Sequence, residues 1–301
     1  MKIQKEKAAK LQIILEKIGV VSRKVRLILI KAYEKLMAVL TWAAAALTIG
    51  TLIFIVGFIF VKGVPYIKPS LFSLTYNSDN VSLMPAMIST IIMTLLSLLI
   101  AAPLGIFAAI FLVEYAKRGN KILGIIRMTT ETLSGIPSIV YGLFGLLFFV
   151  TFLGWGFSVL AGAFTLAIMI LPLIMRSAEE ALKAVPDTYR EGAFGLGAGK
   201  LRTVFRIILP SAMPGILAGI ILSIGRIVGE TAALIYTAGT VAQIPTDPMQ
   251  SARTLSVHMY ALSSEGLHTN EGYATAVILL LVVVLINTLS AKIAKRIGRM
   301  A

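Results

Sequence analysis

Arg176-Ser-Ala-Glu-Glu-Ala-Leu-Lys-Ala-Val-Pro186-Asp-Thr-Tyr-Arg-Glu-Gly-Ala-Phe-Gly-Leu-Gly197-Ala-Gly-Lys200 breaks the chain open after an uncharged run from Thr132 to Met175. Ser177 to Ala184 has a helical composition, and Pro186 stops that helix. Asp187 or Thr188 can cap a second helix, kept short by Gly195, Gly197 and Gly199. From Lys200 onward, Leu201, Val204, Phe205 and Ile208 recover helical spacing. The stretch therefore predicts a short helix held between two turns across one face of the protein. Such an element can plug a groove on another protein.

The flanks of this loop are long and apolar. A bilayer core about 30 Å thick takes roughly 20 apolar helical residues to cross. Leu36 to Val61 and Val81 to Val113 carry no charge, the second with Pro103 and Gly105 inside it. Thr132 to Met175 is long enough for two spans, with Gly154-Trp155-Gly156 as the turn between them. About Ile207 to Ala242 forms a fifth region, with Arg226 and Glu230 in its interior, and Tyr273 to Ala291 a sixth. Six transmembrane helices and an all-α membrane fold are expected.

Charge placement tests that count. Of 28 Lys and Arg, 24 fall before the first span, between Glu114 and Glu131, between Arg176 and Arg206, or after the last span. Lys62, Lys68 and Arg253 occupy the alternate connections. The positive-inside rule then puts both termini in the cytoplasm. Only 14% of the residues are charged and 57% are apolar, against about 25% charged in soluble domains. The net charge of +14 is divided among short juxtamembrane segments, which disfavours the nucleic-acid reading of a pI near 10. Residues 1–35 alternate charged and apolar positions like an amphipathic helix on a membrane surface, not like a signal peptide. They form one expected segment, and 36–301 the transmembrane domain.

Several lookalikes fall away on chemistry. Gly199-Lys200 suggests a phosphate loop, but that loop needs a glycine separated from the pair by four residues and a hydroxyl after the lysine. Phe194 and Leu201 stand there, so no ATP site is expected. The chain has no cysteine, which excludes disulfides and thiolate metal sites. His258 and His268 lack any ligand-like spacing and read as surface or loop residues. No metal, cofactor or catalytic residue is expected.

The loop resembles the EAA signature of ABC-importer permeases: Glu-Ala-Ala, three residues, Gly, nine residues, Ile, one residue, Leu-Pro. Here it reads Glu191-Gly192-Ala193, Gly197, Ile207 and Leu209-Pro210, with Gly192 the single departure. The resemblance implies a MetI-like permease core and a coupling helix in the loop 176–210. Tyr189, Arg190, Glu191 and Ala193 would then contact the ATPase, and Gly197 would make the turn. Glycine at 192 lowers helix stability by about 0.8–1 kcal/mol relative to alanine, so the helix depends more on its surroundings.

Pro103 to Tyr115, Gly135 to Phe144, Gly225 to Ala233 and Thr246 to Gln250 are similar to the PstA type of phosphate-importer permease. That family implies a six-helix fold with a five-helix core, working as a heterodimer with a second permease. It further implies two ATPase copies and an external phosphate-binding protein. Arg226 and Glu230 are four apart, so one helix face would present both. Charged residues inside a membrane face a partner or a wet path; either Arg226 attracts phosphate while Glu230 holds the arginine, or the pair only locks helix packing. Arg176 is either a second cation on the pathway or a headgroup anchor. Two alternatives stay open: a permease for sulfate or molybdate, and a secondary transporter coupling protons through Glu230. The latter leaves the docking loop without purpose and calls for inverted repeats, which the sequence does not display.

Overall fold

The computed structural model describes the backbone of residues 2–116 and 121–300, and side chains for 29–31, 33–116, 121, 123–292 and 296. Among the described residues every regular element is helical. The chain divides into two compact units, Met1–Phe58 and Ile59–Ala301. The first unit consists of most of α1 (Lys2–Gly63), a helix unbroken through the expected boundary at Lys35. Its apolar part fits a span over Leu29–Tyr66. The amphipathic reading of the N-terminal segment falls largely on side chains outside the described residues.

The second unit is built on α2 (Met84–Ile110), α5 (Val159–Ala184), α8 (Leu209–Gly229) and α11 (Thr269–Met300). α2 runs on through a π turn to Tyr115, and α8 is preceded by α7 (Lys200–Thr203) and a second π turn, which makes one apolar stretch Lys200–Gly229. With Leu29–Tyr66 these give five helices long and apolar enough to cross a bilayer. A pair of helices, α3 (Lys121–Ser134) and α4 (Ser138–Gly145, extended to Phe152), is bent by 100° and makes the count six where it is taken as one span. Pro137 sits at that bend, whereas α2 passes Pro103 without interruption. The turn at Gly154-Trp155-Gly156 forms as expected, both glycines taking positive φ.

In lipid, helices gain little from burying oil against oil, so close approach and polar satisfaction hold the bundle. Gly215 and Gly219 press against Ala181 and Ser177 of α5 so closely that a Cβ would collide. Gly225 and Gly229 make no such approach among the described residues. Among the described residues three apolar cores follow: one around Met93, Leu166, Ile170, Ile227 and Leu234, another around Ile110, Leu182, Val204, Ile208 and Ile216, and a smaller one around Leu71, Leu83, Leu255 and Ala274.

The fifth span departs from its sequence reading. α8 stops at Gly229, and Glu230 is extended, with ψ of 128°. The chain then turns through the short α9 (Ala232–Ile235), whose Ala233 and Leu234 are fully buried. Ala233 lies against Gly142 of α4, and Thr237 against Gly145. The apolar run to Ala242 is thus a folded-back segment, buried because α4 offers it two glycines. Thr237, within this segment, and Thr246–Gln250 beyond it cap α5: the carbonyls of Thr237, Gln250 and Pro248 accept from the backbone N–H groups of Ser158, Val159 and Leu160. These donors would otherwise be orphaned at a helix N-terminus.

Candidate coupling surface and pathway residues

The loop 176–210 folds as a helix between two turns. Its first part is the end of α5, and Pro186 precedes α6 (Asp187–Gly195). Neither Asp187 nor Thr188 caps α6; Pro186 holds the N-cap position without a side-chain bond, and the Asp187 carboxylate pairs with Arg190 at 3.1 Å instead. At the other end Gly197 adopts φ of 80°, with Gly197 N–H donating to Phe194 O and Ala198 N–H to Ala193 O. That is the left-handed cap in which glycine escapes the Cβ penalty.

The four expected docking residues divide by face. Tyr189 and Glu191 are exposed, beside exposed Phe194 and Leu196. Ala193 is buried, packed beneath the helix. Arg190 also points inward. Its guanidinium bonds both carboxylate oxygens of Glu114, the carbonyls of Leu182 and Val185, and Asp187. The shortest contact to Glu114 is 2.7 Å, and both side chains are largely buried. Arg190 ties α6 to the end of α2.

More ion pairs surround this tie. Buried Glu179 takes Arg127 of α3 at 2.7 Å and Lys183 at 2.6 Å, and exposed Arg176 pairs with Glu180 at 3.0 Å. Arg176 therefore belongs to an α5 surface pair. A hollow of about 760 Å³ separates α6 from α3 and is lined by Glu114, Arg127, Lys183, Arg190 and Lys200. Another, about 400 Å³, lies between α6 and α8 beside Tyr189 and Pro210.

Arg226 and Glu230 are not an ion pair. Arg226 sits in the last turn of α8, while Glu230 lies beyond the helix end, so the shared helical face predicted for them does not exist. Buried Glu230 accepts from the Ala233 N–H at 3.1 Å through Oε1, and its carbonyl accepts from Ser256 Oγ. It fixes the fold-back instead of steadying the arginine. Half-buried Arg226 has no carboxylate within ion-pair distance among the described residues.

Residues 101–299 match the family described as "Binding-protein-dependent transport system inner membrane component". The chain belongs to this family. It is a multi-pass inner-membrane permease subunit of the ABC-importer class. It is 38% identical over 206 residues to the "Probable ABC transporter permease protein YqgI" of Bacillus subtilis (strain 168), covering 62% of this chain and 70% of that one. It is 35% identical over 211 residues to the "Phosphate transport system permease protein PstA 1" of Mycobacterium tuberculosis (strain CDC 1551 / Oshkosh), covering 69% of each. Among solved structures, the inward-facing MetNI methionine ABC transporter aligns at a TM-score of 0.56 with 19% identity, over 71% of this chain and 94% of that one. A bacterial alginate ABC transporter aligns at 0.61 with 18% identity, over 85% and 95%. At such identities the likeness is one of fold.

Three features of the permease escaped the sequence reading. Glu114 and Glu179 showed only as charges near span ends. Arg253 counted as a loop cation, yet it is buried, with its Cζ 4.6 Å from the centroid of the Tyr76 ring. His258, expected at the surface, is fully buried in α10 (Leu255–Glu265), edge-on to Tyr76. Its contacts come from residues some 180 positions earlier, which no local pattern reveals.

α10 lies outside the apolar spans, and burial, then nearby Arg253, lowers the His258 pKa from 6.5 to about 3. The Val81 backbone pulls the other way without a well-formed hydrogen bond. The folded state thus keeps His258 neutral, whereas the unfolded chain protonates it near pH 6.5. The stability from neutral His258 is complete above pH 6.5 and lost as pH falls towards 3, by at most about 1.4 kcal/mol per pH unit. His258→Gln is expected to flatten that part of the thermal-unfolding profile between pH 6.5 and 4. An unchanged slope would refute the assignment.

Proposed function

We propose that this permease forms half of a pathway importing inorganic phosphate, paired with a second permease and driven by two separate ATPase subunits. An external binding protein delivers the anion. Both termini face the cytoplasm, because the ends of α2, α5 and the start of α7 carry the basic residues and the coupling helix. The chain itself hydrolyses nothing; its role is to open and close.

The observation that carries the reading is α6: a helix stapled to α2 by Arg190 and Glu114, offering Tyr189, Glu191, Phe194 and Leu196 to a partner. A rigid strut of this kind passes movement from a docked ATPase to the membrane helices. Phosphate as cargo is supported by relatives named as phosphate permeases at about 35% identity over two thirds of the chain. Arg226, a cation without a carboxylate partner, supports an anionic cargo and supplies attraction without tight capture. The proton-coupled alternative loses ground because Glu230 is committed to a backbone bond.

The test is selectivity of the reconstituted transporter. ATP-dependent uptake of labelled phosphate into proteoliposomes should be unaffected by a tenfold excess of sulfate or molybdate. Uptake of sulfate at equal or greater rate, with phosphate excluded, would replace phosphate as cargo and leave the fold assignment standing.

A further inference from the structure

Arg253 is 6% exposed, and its Nε and Nη2 atoms are buried with no hydrogen-bond partner. These two atoms form one edge of the guanidinium, the edge that takes two oxygens of a carboxylate or phosphate side by side. A buried charge ordinarily comes with a counter-charge and satisfied donors. Here no carboxylate lies within ion-pair distance among the described residues, and the Tyr76 ring on one face is the visible compensation.

The surroundings are fixed around that edge. Arg253 N–H donates to Val241 O, Leu255 N–H to Thr90 Oγ1, and Ser256 Oγ to the carbonyl of Glu230. Arg253 thus sits on a segment one hydrogen bond away from the residue that follows α8, the helix bearing Arg226. It lies at the end of the bundle opposite α6. Its cover is of another kind. Tyr76 belongs to an irregular strap, 73–83, held by side-chain bonds between Asn77 and Asn80 and by Ser82. Within it Val81 has φ of 46°, left-handed backbone that a β-branched residue adopts only under strain.

We propose that Arg253 is an anion-receiving site at the external mouth, where an oxyanion released by the binding protein takes the Nε/Nη2 edge once the Tyr76 strap lifts. The inference rests on the anion-importer reading above. The ligand class is a tetrahedral oxyanion with two oxygens free, and the source is transported phosphate, not a lipid headgroup. In the closed conformation the edge is sealed, which keeps the anion from leaking back.

The test uses the whole transporter with its binding protein, comparing wild type, Arg253→Gln and Arg253→Lys. Labelled phosphate uptake should fall at least about tenfold in Arg253→Gln, as expected for loss of charge-assisted hydrogen bonds. Arg253→Lys, which keeps the charge and loses the fork, should fall in between. Thermal midpoint and assembly yield should stay at or above wild type, because an unpaired buried charge has been removed. In maltoside detergent, inorganic phosphate should raise the wild-type midpoint and leave that of Arg253→Gln unmoved. Uptake within twofold of wild type in Arg253→Gln overturns the site. So does a midpoint that drops with uptake, or stabilisation by phosphatidylglycerol and not by phosphate. Should the wild type import sulfate in place of phosphate, the cargo reading falls, and the same comparison run with sulfate still decides the fate of Arg253.

Discussion

Arg190→Leu is expected to abolish coupled uptake while the subunit still enters the membrane. The substitution strands the buried Glu114 carboxylate and leaves the carbonyls of Leu182 and Val185 without their donor. Breaking a buried pair from one side costs about 3–5 kcal/mol, enough to free α6 from the end of α2. ATP hydrolysis by the assembled transporter should then persist in part, no longer matched by transport. Arg190→Lys should recover little, since one ammonium cannot reach Glu114 and both carbonyls together. The double exchange Glu114→Arg with Arg190→Glu should also fail, because a carboxylate would face those two carbonyls. The ratio of phosphate imported to ATP consumed checks this. An unchanged ratio in Arg190→Leu would contradict the strut.

Arg226→Gln is expected to stop uptake without harming assembly. Hydrogen bonds to charged groups contribute about 1.5–3 kcal/mol, or roughly 10- to 100-fold in rate. Because Arg226 holds no carboxylate partner in the described structure, its removal breaks no ion pair. Glu230 predicts a different pattern. Glu230→Gln keeps an oxygen for the Ala233 N–H and should retain most uptake, whereas Glu230→Ala removes it and should loosen the fold-back at α9. Uptake kinetics with assembly yield across these three variants checks the division. Equal loss in Glu230→Gln and Arg226→Gln would restore the pair as a functional unit.

What could be read from the sequence, and what could not, follows from the range of the forces involved. The spans were legible because lipid demands a run of apolar residues for each crossing, and the loop was legible because Pro186 and Gly197 act on their own backbone. The end of α8 was not. Gly229, Glu230 and Thr231 interrupt an apolar run only slightly, and the turn is made by α4 presenting Gly142 to Ala233 from far along the chain. The direction of Arg190 was hidden for the same reason, its partner lying 76 positions away. Helical spacing shows which residues share a face, but not which face a distant carboxylate will claim. The helix between two turns was thus legible in the loop, and the direction in which Arg190 points was not. Arg226 and Glu230 were singled out for being charged in an apolar run, yet among the described residues Arg226 has no carboxylate within ion-pair distance and Glu230 serves the backbone.

Because the chain has no cysteine, single cysteines placed along α6 test the coupling surface with no background. Tyr189→Cys, Glu191→Cys and Leu196→Cys should each cross-link to a cysteine in the ATPase within the assembled transporter, and Ala193→Cys should not. Cross-linking should also change with bound nucleotide. Failure of all three exposed positions to cross-link in an intact complex, or equal cross-linking at Ala193, would contradict α6 as the coupling helix.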